Sequence, residues 1–118
     1  MLKKVMVVDD EQDIRDTVRI LLEKEGYEVI TAISGNDCLD KINSGAKPDL
    51  ILMDIMMPGI PTKEVVKRLE NFKISYLSVV RITEAEKEDL LKKKNIVDFI
   101  QKPFKIKDLL DKVKKIIG

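Results

Sequence analysis

Two kinds of apolar spacing alternate along this chain. Continuous runs without polar alternation occur at Val5-Met6-Val7-Val8 and at Leu50-Ile51-Leu52-Met53. Such runs suit strands buried on both faces of a parallel sheet. Between and after them, apolar residues repeat at helical spacing. Ile14, Val18, Leu21 and Leu22 form one stripe, stopped by Gly26, and Cys38, Leu39 and Ile42 a second, between Ser34 and Gly45. Val65, Val66 and Leu69 predict a third helix ending near Asn71. Ala85, Leu90 and Leu91 predict a fourth, opened by the capping-box sequence Thr83-Glu84-Ala85-Glu86. Ile106, Leu109, Leu110, Val113, Ile116 and Ile117 mark the closing helix. Tyr27–Ala32, Ile74–Leu77 and Asp98–Gln101 supply the remaining strands.

Five strands alternating with five helices imply a parallel sheet, right-handed crossovers and helices on both faces. The expected fold is α/β, a flavodoxin-like doubly wound (βα)5 sandwich with strand order 2-1-3-4-5. In that order strands one and three are neighbours. Asp9 and Asp10, which end strand one, then stand beside Asp54, which follows strand three. Ligands of open parallel sheets sit outside the carboxyl ends of the strands. Asp54 alone would serve equally as a turn-forming or capping residue. No glycine-rich loop follows strand one, as close approach to a nucleotide phosphate would require; acids occupy that turn.

Composition narrows the chemistry. A chain of 118 residues, 44% apolar and 36% charged, reads as one domain over residues 1–118 with a real core. The net charge of +1 lacks the basic excess that non-specific nucleic-acid binding needs. There is no histidine, which excludes histidine acid–base catalysis, histidine metal ligands and a phosphohistidine donor role. One cysteine, Cys38, has no disulfide partner and reads as a small packing residue in a reducing compartment. No signal-peptide stretch or membrane-span-length run is seen, so a cytoplasmic protein without membrane contact is expected.

Three carboxylates within a few ångströms repel one another unless a cation intervenes. Magnesium suits such a set, accepting one or two carboxylates and leaving positions for phosphate oxygens. An aspartate can attack phosphorus and form an acyl phosphate. Lys102, just after strand five and followed by Pro103, is the candidate for stabilising charge on the transferring group.

Val8-Asp9-Asp10-Glu11, Leu52-Met53-Asp54-Ile55-Met56-Met57-Pro58-Gly59 and Lys102-Pro103-Phe104 follow strands one, three and five. By their order and separation the chain resembles a two-component response-regulator receiver domain over essentially its whole length. The resemblance implies that Asp54 accepts phosphate from a sensor histidine kinase or histidine phosphotransfer protein. It implies magnesium bound by Asp10 and Asp54, by Asp9 mainly through water, and by the Met56 carbonyl, with Lys102 pairing with the phosphoryl group. It also implies a coupled switch made of a hydroxyl at the end of strand four and an aromatic residue in strand five. Phe99 matches the aromatic position and lacks the hydroxyl of the common tyrosine. The hydroxyl lies between Ser78 and Thr83, and Ser78 is preferred because Thr83 has a capping role. That preference requires a loop over Val79–Ile82. The chain departs from the family pattern at Ile60-Pro61, where Asp-Gly is common, and just before strand five, where Gly-Ala is usual.

The expected protein is a stand-alone phosphorylation-dependent switch rather than an enzyme, with self-catalysed phosphorylation and dephosphorylation. It would signal to a downstream protein through helix four, strand five and helix five, as a monomer or weak phosphorylation-dependent dimer. A phosphorelay intermediate and an Asp-nucleophile, metal-dependent phosphatase are the alternatives. The phosphatase would normally need a substrate-covering element, for which 118 residues leave no room.

Overall fold

The computed structural model describes residues 2–79 and 83–118. In chain order the elements are β1 (Lys4–Val8), α1 (Gln12–Lys24), β2 (Glu28–Ala32), α2 (Gly35–Asn43) and β3 (Leu50–Met53). They continue with α3 (Thr62–Arg68), β4 (Ile74–Ser78), α4 (Glu84–Leu91), β5 (Ile96–Gln101) and α5 (Ile106–Ile117). The strands form one sheet in the order β2-β1-β3-β4-β5, with every neighbouring pair parallel. This is the flavodoxin-like doubly wound fold that the sequence predicts.

The continuous apolar runs are buried because the sheet is covered twice. Met6, Val8, Ile51, Met53 and Tyr76 face Cys38, Val65, Val66 and Leu69, from α2 and α3 and the end of α3. Val5, Val7, Leu50, Leu52 and Leu77 face Val18, Leu22, Leu109 and Val113, from α1 and α5. Alternate residues of each central strand thus enter opposite cores. Each such side chain contributes about 1.5–3 kcal/mol by leaving water. Cys38 is fully buried, as a packing residue should be.

Several boundaries differ from the sequence reading, each for a local reason. Tyr27 precedes β2, and its amide donates to the Leu22 carbonyl at 3.2 Å across the turn made by Gly26, φ 93°. Helix α3 ends at Arg68 rather than near Asn71. There the Asn95 side-chain amide donates to the carbonyls of Val66 at 3.0 Å and Leu69 at 3.2 Å. The same carbonyls accept from the amides of Leu69 and Phe72, both at 3.0 Å, so the chain leaves the helix through tighter i+3 bonds that Asn95 reinforces from outside.

Strand β5 begins at Ile96 rather than Asp98, because it contains a bulge. Ile74 pairs with Ile96 but Ser75 pairs with Asp98, so Val97 has no opposite number. Helix α4 lacks the expected apolar stripe. Ala85 and Leu91 are exposed, and Leu90 alone among them packs, half-buried, against the core. What holds its start is the capping box, with both reciprocal bonds present. The loop expected over Val79–Ile82 lies, from Val80 on, outside the described residues. No helix among the described residues is long and apolar enough to cross a membrane.

Candidate functional site

The carboxyl edge of the sheet carries three residues delivered by backbone ladders that run one step past the strands. The Asp9 amide donates to the Ala32 carbonyl at 3.1 Å, the Asp54 amide to Val8 at 3.0 Å, and the Lys102 amide to Ser78 at 2.8 Å. Each side chain is therefore aimed by a strand end rather than by a free loop.

Lys102 spans the edge. Its Nζ donates to Asp9 Oδ2 at 2.6 Å and to Asp54 Oδ2 at 3.4 Å. The other oxygens are also engaged: Asp9 Oδ1 accepts from the Glu11 amide at 2.9 Å, and Asp54 Oδ1 from the Met56 amide at 3.1 Å. Asp9, Asp54 and Lys102 are 1%, 4% and 7% exposed, so the ion pairs are screened little by solvent. Burial alone pulls the Lys102 ammonium down. Its hydrogen bond to Asp9 and the charges of Asp9 and Asp54 outweigh that, and its pKa is raised. Lys102 is thus a cation across the neutral range.

Asp10 sits beside this pair but exposed. One carboxylate oxygen from each of Asp9, Asp10 and Asp54 lies within 4.8 Å of the other two. The donor set is entirely hard oxygen, which fits a magnesium-type cation. Met56 contributes its amide to Asp54, and its side chain is 63% exposed at the rim. The Lys102-Pro103 peptide is cis.

Ser78 is the last residue of β4 and fully buried; its carbonyl receives the Lys102 amide. Thr83 is the N-cap of α4, its Oγ1 accepting from the Glu86 amide at 3.1 Å. Phe99 is already inside, 6% exposed, with its ring edge-on to Tyr76 at 6.4 Å between centroids. Asp9, Asp54 and Lys102 are therefore in direct contact, Asp10 adjoins them, and Ser78 and Phe99 lie on β4 and β5 behind.

Two supporting residues escaped the sequence reading. Arg15 Nη1 donates to the Asp9 carbonyl at 2.7 Å, bracing the acidic turn from α1. Thr62 Oγ1 donates to the Ile55 carbonyl at 2.8 Å, tying the start of α3 to the loop after Asp54. Neither carried a motif; a polar residue in the first turn of a helix points towards the preceding loop too often to single out.

Comparison with known proteins agrees with this geometry. The chain matches the family model for the response regulator receiver domain over residues 5–114. Among solved structures it is similar to the chemotaxis protein CheY4 of Vibrio cholerae, with 29% identity, a TM-score of 0.87, and 99% of this chain and 100% of that one covered. It is also similar to a CheY-like receiver domain protein from Methanospirillum hungatei, with 32% identity, a TM-score of 0.82, and coverage of 98% and 94%. The response regulator protein TrrA from Thermotoga maritima, in complex with Mg(2+)-BeF, is 36% identical with a TM-score of 0.80, covering 98% and 100%.

Proposed function

The chain belongs to the response regulator receiver domain family, and from that membership we propose that it works as a cytoplasmic switch in which Asp54 is the phosphoacceptor. One observation carries the reading: a buried carboxylate at the end of β3 shares a buried ammonium with Asp9, beside a third carboxylate. A purely structural aspartate needs a turn amide or a cation, but not two further acids at its side.

In the proposed reaction an Asp54 carboxylate oxygen attacks the phosphorus of a phosphohistidine on a sensor histidine kinase or histidine phosphotransfer protein. The P–N bond breaks, its electron pair leaves with the imidazole, which takes up a proton, and Asp54 becomes an acyl phosphate. Lys102, 3.4 Å from Asp54 before any transfer, offsets charge on the phosphoryl oxygens. Asp10, Asp54 and the Met56 carbonyl, with Asp9 through water, would hold a magnesium ion, which would supply further charge stabilisation; that TrrA forms a complex with Mg(2+)-BeF supports a magnesium-dependent reaction. Attack of water on the phosphorus later breaks the new P–O bond and returns the carboxylate and inorganic phosphate.

The donor protein must bring its histidine to Asp54. An apolar groove of about 430 Å3, walled by Ile14, Leu21, Val79, Phe104 and Ile106, opens beside Lys102 and suits that contact. Ser78 and Phe99 would convert phosphorylation into a changed α4–β5–α5 face for a downstream protein, by shifting populations rather than creating a new fold. The test is to incubate the wild type and Asp54→Asn with acetyl phosphate, with and without chelator, and weigh the intact protein. One acid-labile phosphoryl group is expected on the wild type with magnesium only. An undiminished adduct on Asp54→Asn would sink the assignment.

A further inference from the structure

Strand β5 is an edge strand, so alternate backbone groups point away from β4 and need other partners. At Phe99 both groups are taken by side chains. Its amide donates to Asp98 Oδ1 at 2.7 Å, and its carbonyl accepts from Lys112 Nζ at 3.1 Å. The same ammonium lies 3.7 Å from Asp98 Oδ1. A carboxylate, an ammonium and the main chain of one residue thus close a ring across the outer edge of the strand, and α5 supplies the cation.

The bulge just upstream gives this ring its meaning. Residues three apart in a regular strand face opposite sides. Ile96 and Phe99 are three apart, yet both enter the same core, because Val97 steps out of register between them. Ile100 then faces the other core. The bulge re-aims the Phe99 ring inward, against Tyr76, and loosens the pairing at the same place. Exposed ion pairs are usually worth little. This one differs in having the main chain of one particular residue as its third member.

We propose that Lys112, held by Asp98, is a positioning residue that fixes the inward orientation of Phe99 and ties α5 to it. The inference rests on the reading of Phe99 as a switch residue. Its consequence is a linkage. The Lys112 side chain is 36% exposed, so a partner carboxylate arriving on α5 competes with the Phe99 carbonyl for the ammonium. Partner binding and Phe99 orientation then bias one another reciprocally.

The test uses the whole chain labelled with 4-fluorophenylalanine, which reports Phe72, Phe99 and Phe104; Phe99→Leu identifies the Phe99 resonance. Without any phosphodonor, Lys112→Met is expected to shift or broaden that resonance and leave the other two in place, and Lys112→Arg to restore it. Asp98→Ala, which removes the acceptor of the Phe99 amide, is expected to speed exchange of that amide about tenfold, as for one charge-assisted hydrogen bond. An unchanged Phe99 resonance in Lys112→Met, or an arginine variant that behaves like the methionine one, overturns the proposal. Unchanged amide exchange in Asp98→Ala overturns the part given to Asp98. The switch reading is judged separately: beryllofluoride should move the wild-type Phe99 resonance. If it does not, Phe99 loses its switch role, and the resting spectra still decide Lys112.

Discussion

Lys102 serves two buried carboxylates with one ammonium, and it serves them unequally, at 2.6 Å for Asp9 and 3.4 Å for Asp54. Removing one member of a buried pair leaves charge without compensation, typically at a cost of about 3–5 kcal/mol. Lys102→Met is therefore expected to lower the melting temperature clearly in chelator, and adding Asp9→Asn to that variant to recover part of the loss by relieving repulsion. Asp10 is exposed and outside these contacts, so Asp10→Asn should melt no lower than the wild type. A Lys102→Met protein as stable as the wild type would mean the carboxylates do not depend on the shared cation. The four charged positions were legible from the chain because a charge that ends a buried apolar run has only the edge of the sheet to occupy. The lean of Lys102 towards Asp9 was not, since it depends on how far one side chain reaches over the end of β4.

Ser78 and Thr83 show how the same functional group takes its duty from its element. Ser78 ends a strand and is fully buried, whereas Thr83 stands at the start of a helix with its hydroxyl engaged by the Glu86 amide. Thr83→Ala is expected to cost about 1 kcal/mol through the lost cap and to leave the beryllofluoride response intact. Ser78→Ala should blunt that response at Phe99. Melting curves and 19F spectra of the two variants check both halves, and the opposite pattern would move the switch role to Thr83. The capping box could be read from four consecutive residues because its physics is local. The β5 bulge could not, because it exists only relative to β4. The apolar stripe assigned to α4 failed for a related reason: Ala85 and Leu91 have helical spacing but no sheet beneath them to cover.

At the scale of the molecule, strand order decides which side chains can meet. Lys102 leaves β5, two strands from β3 and three from β1 in the order β2-β1-β3-β4-β5. With strands about 4.8 Å apart, only a long side chain bridges that distance, which makes lysine a geometric as well as an electrostatic choice. The two cores on either side of the sheet were foreshadowed by the unbroken apolar runs, since a strand exposed on one face would have alternated. The same close packing makes Cys38 a probe. Its thiol is fully buried, and burial raises its pKa to about 12. A thiol reagent at neutral pH is expected to label Cys38 only as fast as the structure opens, with a rate that rises in step with destabilising core substitutions. Rapid labelling of the native protein would contradict this burial.

Helix α4 stands apart from that packed interior, for only Leu90 of its described side chains reaches the core, and its start is fixed by a cap that needs just Thr83 and Glu86. Substitutions at such solvent-facing positions usually change stability by less than about 0.5 kcal/mol. Its other outward residues can therefore drift in sequence almost without penalty to folding. Lineages carrying this scaffold could acquire new recognition specificities along that helix while the acidic edge of the sheet stays as it is.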